Sequence, residues 1–151
     1  MRARKDKKME AVKVTCLKKA FPGPLGPEEV LKGVSFSLEE GSFTALTGCS
    51  GSGKTTLLHL LAGYLKADSG TICLLGRHLQ DMSPKEASIF RRRHVSMVFQ
   101  EAALIPSLTV EENIVLPLVM DTGRLLDQDR LTGILESFSL SGKLGRLPGV
   151  S

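Results

Sequence analysis

No apolar run in these 151 residues approaches the roughly 18 to 20 needed to cross a bilayer. The longest candidate, Ile114 to Met120, is short and carries Pro117. Any role at a membrane is therefore expected to come through a partner. Cysteine is scarce and odd in number: Cys16, Cys49 and Cys73, with no C-x2-C pair. That excludes a disulfide frame and a zinc site, and fits reduced thiols in a cytosolic protein. Charge is missing where it would matter for nucleic acid. The formal net charge is +4, but Arg2, Arg4, Lys5, Lys7 and Lys8 against Asp6 already supply it, so the rest of the chain is neutral. A neutral body gives no basic face for reading DNA, and no nucleic-acid partner is expected. Residues 1–10 read as a solvated, disordered basic tail. No apolar segment follows to make a secretion signal.

What the chain does contain is organised around Gly48-Cys49-Ser50-Gly51-Ser52-Gly53-Lys54-Thr55. This run fits G-x4-G-K-S/T, the phosphate-binding loop called Walker A, at every specified position. The glycines let the backbone turn tightly so that successive N–H groups converge on one anion. Lys54 is then placed to reach the β- and γ-phosphates of a nucleotide, and the Thr55 hydroxyl to ligate Mg²⁺. Phe43-Thr44-Ala45-Leu46 reads as a buried strand entering the loop. Thr55 to Leu65 reads as a helix leaving it, with Leu57, Leu58, Leu61 and Leu65 on one stripe. That helix aims its unpaired amides and partial positive charge at the phosphates.

Two strands are expected ahead of the loop, Ala11 to Leu17 and Val30 to Leu38, each with an apolar alternation and with a turn-rich stretch, Phe21 to Pro27, between them. Small phosphate-loop kinases and GTPases usually begin closer to the loop, and no Asn-Lys-x-Asp guanine motif occurs in the sequence. Phe21, at the lip of that turn, is either a base-stacking ring or an ordinary loop anchor. Gly70 to Gly76 is a further strand. Ser83-Pro84-Lys85-Glu86 is a capping box opening a helix to about Arg93, whose Arg91-Arg92-Arg93 reads as a solvated, dipole-complementing end. Val95-Ser96-Met97-Val98-Phe99 is the next strand, apolar enough to be interior. Gln100 and Glu101 follow at its carboxyl end, where ligands of open α/β sheets sit. A second capping box, Thr109-Val110-Glu111-Glu112, opens another helix, and Asp127 to Leu140 has helical spacing. His59, His78 and His94 read as structural. Asp121 superficially ends an apolar strand, but Pro117 and the helix capped by Thr109 argue against it.

With these motifs in place the chain resembles the nucleotide-binding subunit of an ATP-binding-cassette (ABC) transporter. The resemblance is carried by Gly48 to Thr55 with Thr56 after it, by Val95 to Gln100 as the strand and glutamine of the family's Q-loop, and by Phe21 as its adenine-stacking aromatic. Leu61-Ala62-Gly63, Asp68-Ser69-Gly70 and Leu108 to Asn113 also fit family habit. Phe90 to Val95 and Leu116-Pro117-Leu118 resemble the subgroup serving lipoprotein release, macrolide export and cell division. The fold this implies is α/β: a P-loop NTPase, RecA-like core with an N-terminal antiparallel β-subdomain and the start of a helical subdomain over about 109–151, incomplete at the C-terminus.

The resemblance implies ATP and Mg²⁺ as cofactors. Phe21, Gly48, Cys49, Ser50, Gly51, Ser52, Gly53, Lys54, Thr55 and Thr56 would bind nucleotide. Thr55 and Gln100 would face the metal, and Gln100 would position water. It implies a transmembrane permease and a second nucleotide-binding subunit as partners, and a cytoplasmic location at the inner face of the membrane. The family's Leu-Ser-Gly-Gly-Gln signature, Walker B aspartate, catalytic glutamate and switch histidine do not follow the Walker A run in this sequence. The family activity is ATP hydrolysis driving transport; this chain alone is expected to bind nucleotide weakly, hydrolyse it poorly or not at all, and be marginally soluble. A non-catalytic truncated or split-gene fragment, an ABC ATPase of DNA repair or translation, and an unrelated phosphate-loop kinase or GTPase are the rival readings.

Overall fold

The computed structural model describes residues 10–99, 103–122 and 128–149. They divide into two compact units that meet in sequence at Arg91 and Arg92; each is taken by itself.

The first unit is built on a hairpin. Strand β1 (Glu10–Gly23) pairs antiparallel with β2 (Gly26–Glu39), from Glu10 opposite Glu39 to Gly23 opposite Gly26. The alternation expected for 11–17 and 30–38 is present, and both strands run further because the turn is tight, confined to Pro24 and Leu25. Strand β3 (Ser69–Leu74) pairs antiparallel with the other edge of β1, and a two-residue strand β4 (Arg77–His78) follows, giving the order β2-β1-β3-β4. The β1 ladder is interrupted at Cys16, which has a positive φ of 48°. Its N–H leaves the ladder and donates to Ser35 Oγ at 2.7 Å. Gly70 lies against this bulge with φ +85°, and a Cβ there would collide with the Cys16 carbonyl. Only glycine lets β3 cross at that point.

Helix α1 (Lys54–Leu61) and helix α2 (Pro84–His94), as far as Arg91, complete the unit; Arg92 to His94 belong to the second. Val14, Leu17, Leu31, Ile72 and Leu74 from the sheet are buried with Leu57 and Leu60 of α1, Ala62, and Phe90 of α2. The expected stripe on α1 is thereby corrected. Leu57 and Leu60 face the core, whereas Leu58 is 46% exposed. The capping box at Ser83 forms as expected: Ser83 Oγ accepts from Glu86 N at 3.3 Å, and the Glu86 carboxylate accepts from Ser83 N at 2.9 Å and from its hydroxyl at 2.7 Å.

In the second unit, helix α3 (Val110–Thr122) opens with the Thr109–Glu112 box, Glu112 Oε2 accepting from Thr109 N at 2.7 Å. Asn113 fastens the preceding loop, accepting from Ile105 N at 2.8 Å and donating to the carbonyls of Ile105, Leu108 and Thr109. The N–H groups of Val110 and Glu111 donate to the carbonyls of Arg146 and Leu144, so the start of α3 is closed by its own chain. Helix α4 (Gln128–Ser137) buries Leu131 and Leu135. Asp121 lies within α3, as the cap at Thr109 implied.

Two expectations fail here. Phe43 to Leu46 and Val95 to Phe99 are not strands. A strand requires a hydrogen-bonded neighbour, and neither segment has a strand partner among the described residues. Phe43 is consequently 98% exposed and Val98 96%. Arg91-Arg92-Arg93 is not simply solvated either. Arg91 donates to Gly63 O at 3.2 Å, Arg92 to Met120 O at 2.6 Å, and Arg93 pairs with Asp121 at 3.1 Å. A guanidinium near a carbonyl-rich helix end finds a better partner there than water.

Two measurements probe this fold. Leu17 is fully buried where β1 meets its neighbours, so Leu17→Ala should cost about 2–5 kcal/mol. Leu25→Ala, at the wholly exposed turn, should stay within about 0.5 kcal/mol; urea titration of both variants checks the contrast. Glu86 is held below its ordinary value of 4.5, first by the Ser83 hydroxyl and then by the Ser83 N–H. A lowered folded pKa stabilises above the unfolded value, and that contribution is lost as pH falls through the folded one. Glu86→Gln keeps the box but cannot titrate. Its urea midpoint should therefore fall less steeply than wild type's below about pH 4.5.

Candidate functional site

The phosphate-type loop sits between the end of β2 and the start of α1. Gly51 and Gly53 have φ of +76° and +86°, conformations that side-chain-bearing residues rarely adopt. At Gly53 the restriction is double. A Cβ would lie 2.8 Å from Val30 Cγ1 and 3.2 Å from the Val30 carbonyl, so the loop presses directly on β2. A turn closes the loop, Ser52 N donating to Cys49 O at 3.3 Å, and α1 begins with Leu57 N donating to Gly53 O at 2.8 Å.

Gly53 caps α1 without any side-chain hydrogen bond, and no acidic residue stands in the first turn. The first amides of the helix thus have no side-chain oxygen competing for them. Lys54 folds back over the loop: its ammonium donates to Gly48 O at 2.8 Å, Cys49 O at 2.6 Å and Ser52 Oγ at 3.4 Å. All three acceptors are formally neutral. Among the described residues no carboxylate pairs with Lys54, so a full positive charge stands at the positive end of a helix dipole. Cys49, Ser50, Gly51, Ser52 and Thr55 are exposed around it, and Thr56 is half-buried. Amide donors, an uncompensated ammonium and a hydroxyl at the second helical position fit a polyphosphate with a divalent cation.

A second feature lies at the far end of β1. Phe21 is 36% exposed and pairs with Glu28 of β2. The Lys19 ammonium stands 5.4 Å from its ring centroid and makes a 2.8 Å ion pair with Asp68. Asp68 also accepts from Ala20 N at 2.7 Å, while its own N–H donates to Lys18 O at 3.1 Å. The hydrogen bond from Lys19, then that from Ala20, holds the Asp68 carboxyl below its ordinary value. Sequence reading singled out Phe21 but not Lys19 or the tie from Asp68; Lys19 and Asp68 are 49 positions apart, and no local pattern joins them. Gln100 and Glu101 lie outside the described residues. Asp121, considered as a metal ligand, is instead paired with Arg92 and Arg93. Among the described residues no cluster of His, Cys, Asp and Glu is arranged to hold a metal by itself.

Comparison with known proteins agrees with this geometry. The profile of the ABC transporter family matches residues 31–150. The bacitracin export ATP-binding protein BceA of Halalkalibacterium halodurans is 41% identical over 110 residues, covering 73% of this chain and 44% of that protein. The lipoprotein-releasing system ATP-binding protein LolD of Aquifex aeolicus is 39% identical over 122 residues, covering 80% of this chain and 54% of its own length. The chain spans about half the length of these curated relatives. Among solved structures, a dimeric ATP-binding cassette in a post-hydrolysis state, bound to ADP and Pi, superposes with a TM-score of 0.81 at 29% identity, covering 93% of this chain and 63% of that one. The antiparallel sheet, the helices and the glycine-bounded loop are therefore those of an ABC ATPase cassette, and the chain belongs to the ABC transporter family.

Proposed function

We propose that this chain is the nucleotide-binding part of an ABC transporter's ATP-binding subunit, holding the triphosphate of ATP with Gly48, Cys49, Ser50, Gly51, Ser52, Gly53, Lys54, Thr55 and Thr56. The observation that carries it is the Lys54 ammonium, 2.6 and 2.8 Å from two loop carbonyls and without a carboxylate partner among the described residues. A nucleotide's phosphate oxygens offer that charge stronger acceptors than neutral carbonyls do. The loop amides would cradle the β-phosphate, Lys54 would bridge toward the γ-phosphate, and the Thr55 hydroxyl would ligate Mg²⁺. When bound, Mg²⁺ supplies charge neutralisation across the phosphates. Phe21 would stack on adenine, and Gln100 would face the metal and a water.

The whole protein would hydrolyse ATP to drive transport, working beneath a permease on the cytoplasmic side with a second cassette closing over the nucleotide. Support comes from the relatives' names, one a bacitracin export and one a lipoprotein-releasing ATP-binding protein, and from the dimeric cassette with ADP and Pi. The lipoprotein-releasing relative falls in the subgroup that Phe90 to Val95 and Leu116 to Leu118 resemble. Residues 11–151 would form part of such a domain, with the helical subdomain starting near 109. Hydrolysis needs an oriented water as well as bound phosphate. The chain's motifs supply the cradle but not the family's catalytic glutamate or signature, so by itself it would act as a nucleotide binder.

Calorimetry with magnesium and ATP should register binding to the folded chain. Lys54→Ala should weaken it by about tenfold or more, the loss of one charge-assisted contact. Phosphate release by the chain alone should stay at background. Robust ATPase activity that vanishes in Lys54→Ala would overturn the division between binding and hydrolysis; binding indifferent to Lys54→Ala would overturn the site.

A further inference from the structure

We propose that Asp68 and Lys19 are positioning residues for the base end of the site, presetting the Phe21 ring so that the protein favours a purine nucleotide over a bare polyphosphate. The inference rests on the reading of Phe21 as the base-stacking ring.

Lys19 and Phe21 are two positions apart on β1, on either side of a register shift between Lys19 and Ala20. The Lys19 ammonium stands over the ring, at 5.4 Å from its centroid, within the range of a cation–π contact. The N–H of Ala20 between them is taken by Asp68 at 2.7 Å. Asp68 thus grips three consecutive residues: the Lys18 carbonyl through its own N–H, the Ala20 N–H through one carboxylate oxygen, and the Lys19 ammonium through the other at 2.8 Å. The Lys19 side chain is 16% exposed and that of Asp68 48%, so the pair is only partly sheltered from the solvent screening that weakens surface ion pairs, and the backbone bonds from Asp68 share in holding it. On its far edge β1 is held by β2, with Ala20 opposite Glu29 and Phe21 opposite Glu28.

The consequence for binding is preorganisation. A ring already fixed in place loses less freedom when a base lands on it. A cation against one face also draws π-density from the ring and suits the other face to an electron-rich purine. Asp68 ends the connection that leaves α1, the helix whose first residue is Lys54. The connection that follows the phosphate-facing helix therefore ends on the residue that sets the aromatic. A plain structural tie would support both ends equally; a positioning role acts on the base alone, and this difference can be measured.

The test compares magnesium-ATP with magnesium-tripolyphosphate, which has no base, by calorimetry on the full chain carrying Phe21→Ala, Asp68→Asn, Lys19→Gln or Lys19→Arg. Each of the first three should weaken ATP binding about five- to tenfold and leave tripolyphosphate binding unchanged. Lys19→Arg, which keeps the cation over the ring, should restore ATP affinity. If Asp68→Asn and Lys19→Gln leave the ratio of the two affinities at the wild-type value while Phe21→Ala lowers it, this inference falls and the stacking reading stands. If Phe21→Ala leaves the ratio unchanged, the stacking reading falls and takes the inference with it. Equal loss of both ligands in Asp68→Asn and Lys19→Gln marks a structural tie and also overturns it. A wild-type chain that binds neither ligand overturns the proposed function itself.

Discussion

The structure of the first unit depends on one close approach, the packing of Gly53 against Val30. Gly53 has to do two incompatible things for any other residue: adopt a left-handed backbone and leave no room for a Cβ beside the Val30 side chain and carbonyl. Satisfying both sets the direction in which α1 departs from the sheet. With that direction fixed, Leu57 and Leu60 are buried, Leu58 is left exposed, and the first amides of α1 carry no side-chain cap. A larger residue would not just strain a turn. It would push the helix away from β2 and with it the first amide donors of α1.

The charge at the loop follows from the same geometry. Proteins seldom leave a lysine ammonium among neutral oxygens near a helix N-terminus, since the dipole and the cation repel. The three neutral acceptors around Lys54 lower that cost by solvating the ammonium locally. They do so without neutralising it, as a carboxylate would. A loop arranged in this way stays poised for an anion of high charge density. In the proposed nucleotide complex, exchanging carbonyl for phosphate oxygen would replace ion–dipole contacts by ion–ion ones.

Much of this was legible from local chemistry. The two capping boxes could be read because a Ser or Thr three residues before a Glu is a self-contained device, and both form in the structure. The hairpin was legible because its alternation and its Pro/Gly turn agree. The loop was legible because its glycines are demanded by backbone conformation rather than by neighbours. Features that require a distant partner were not. Leu58 and Leu60 cannot be told apart by spacing alone, since which face of α1 is covered depends on where Gly53 aims it. The arginines at the end of α2 looked solvated because their acceptors, the carbonyl of Gly63 and the residues at the end of α3, lie 28 positions away. Asp68 was visible only as part of a familiar Asp-Ser-Gly run, with no sign of the strand it fastens.

The segments 43–46 and 95–99 carry this argument furthest. Their apolar character predicts buried strands, and in the second it survives in part as an alternation, with Val95 and Met97 half-buried and Ser96 and Val98 exposed. Hydrophobic patterning records what a segment would bury if it were paired; it does not supply the pair. The sheet of the first unit is antiparallel throughout, in the order β2-β1-β3-β4, and segment 43–46 of that unit is not among its strands. Phe43 and Val98, almost wholly exposed, are apolar surface of the kind that associating chains cover. The loop's conformation is thus set by its own glycines, whereas the apolar segments 43–46 and 95–99 have no hydrogen-bonded strand partner among the described residues.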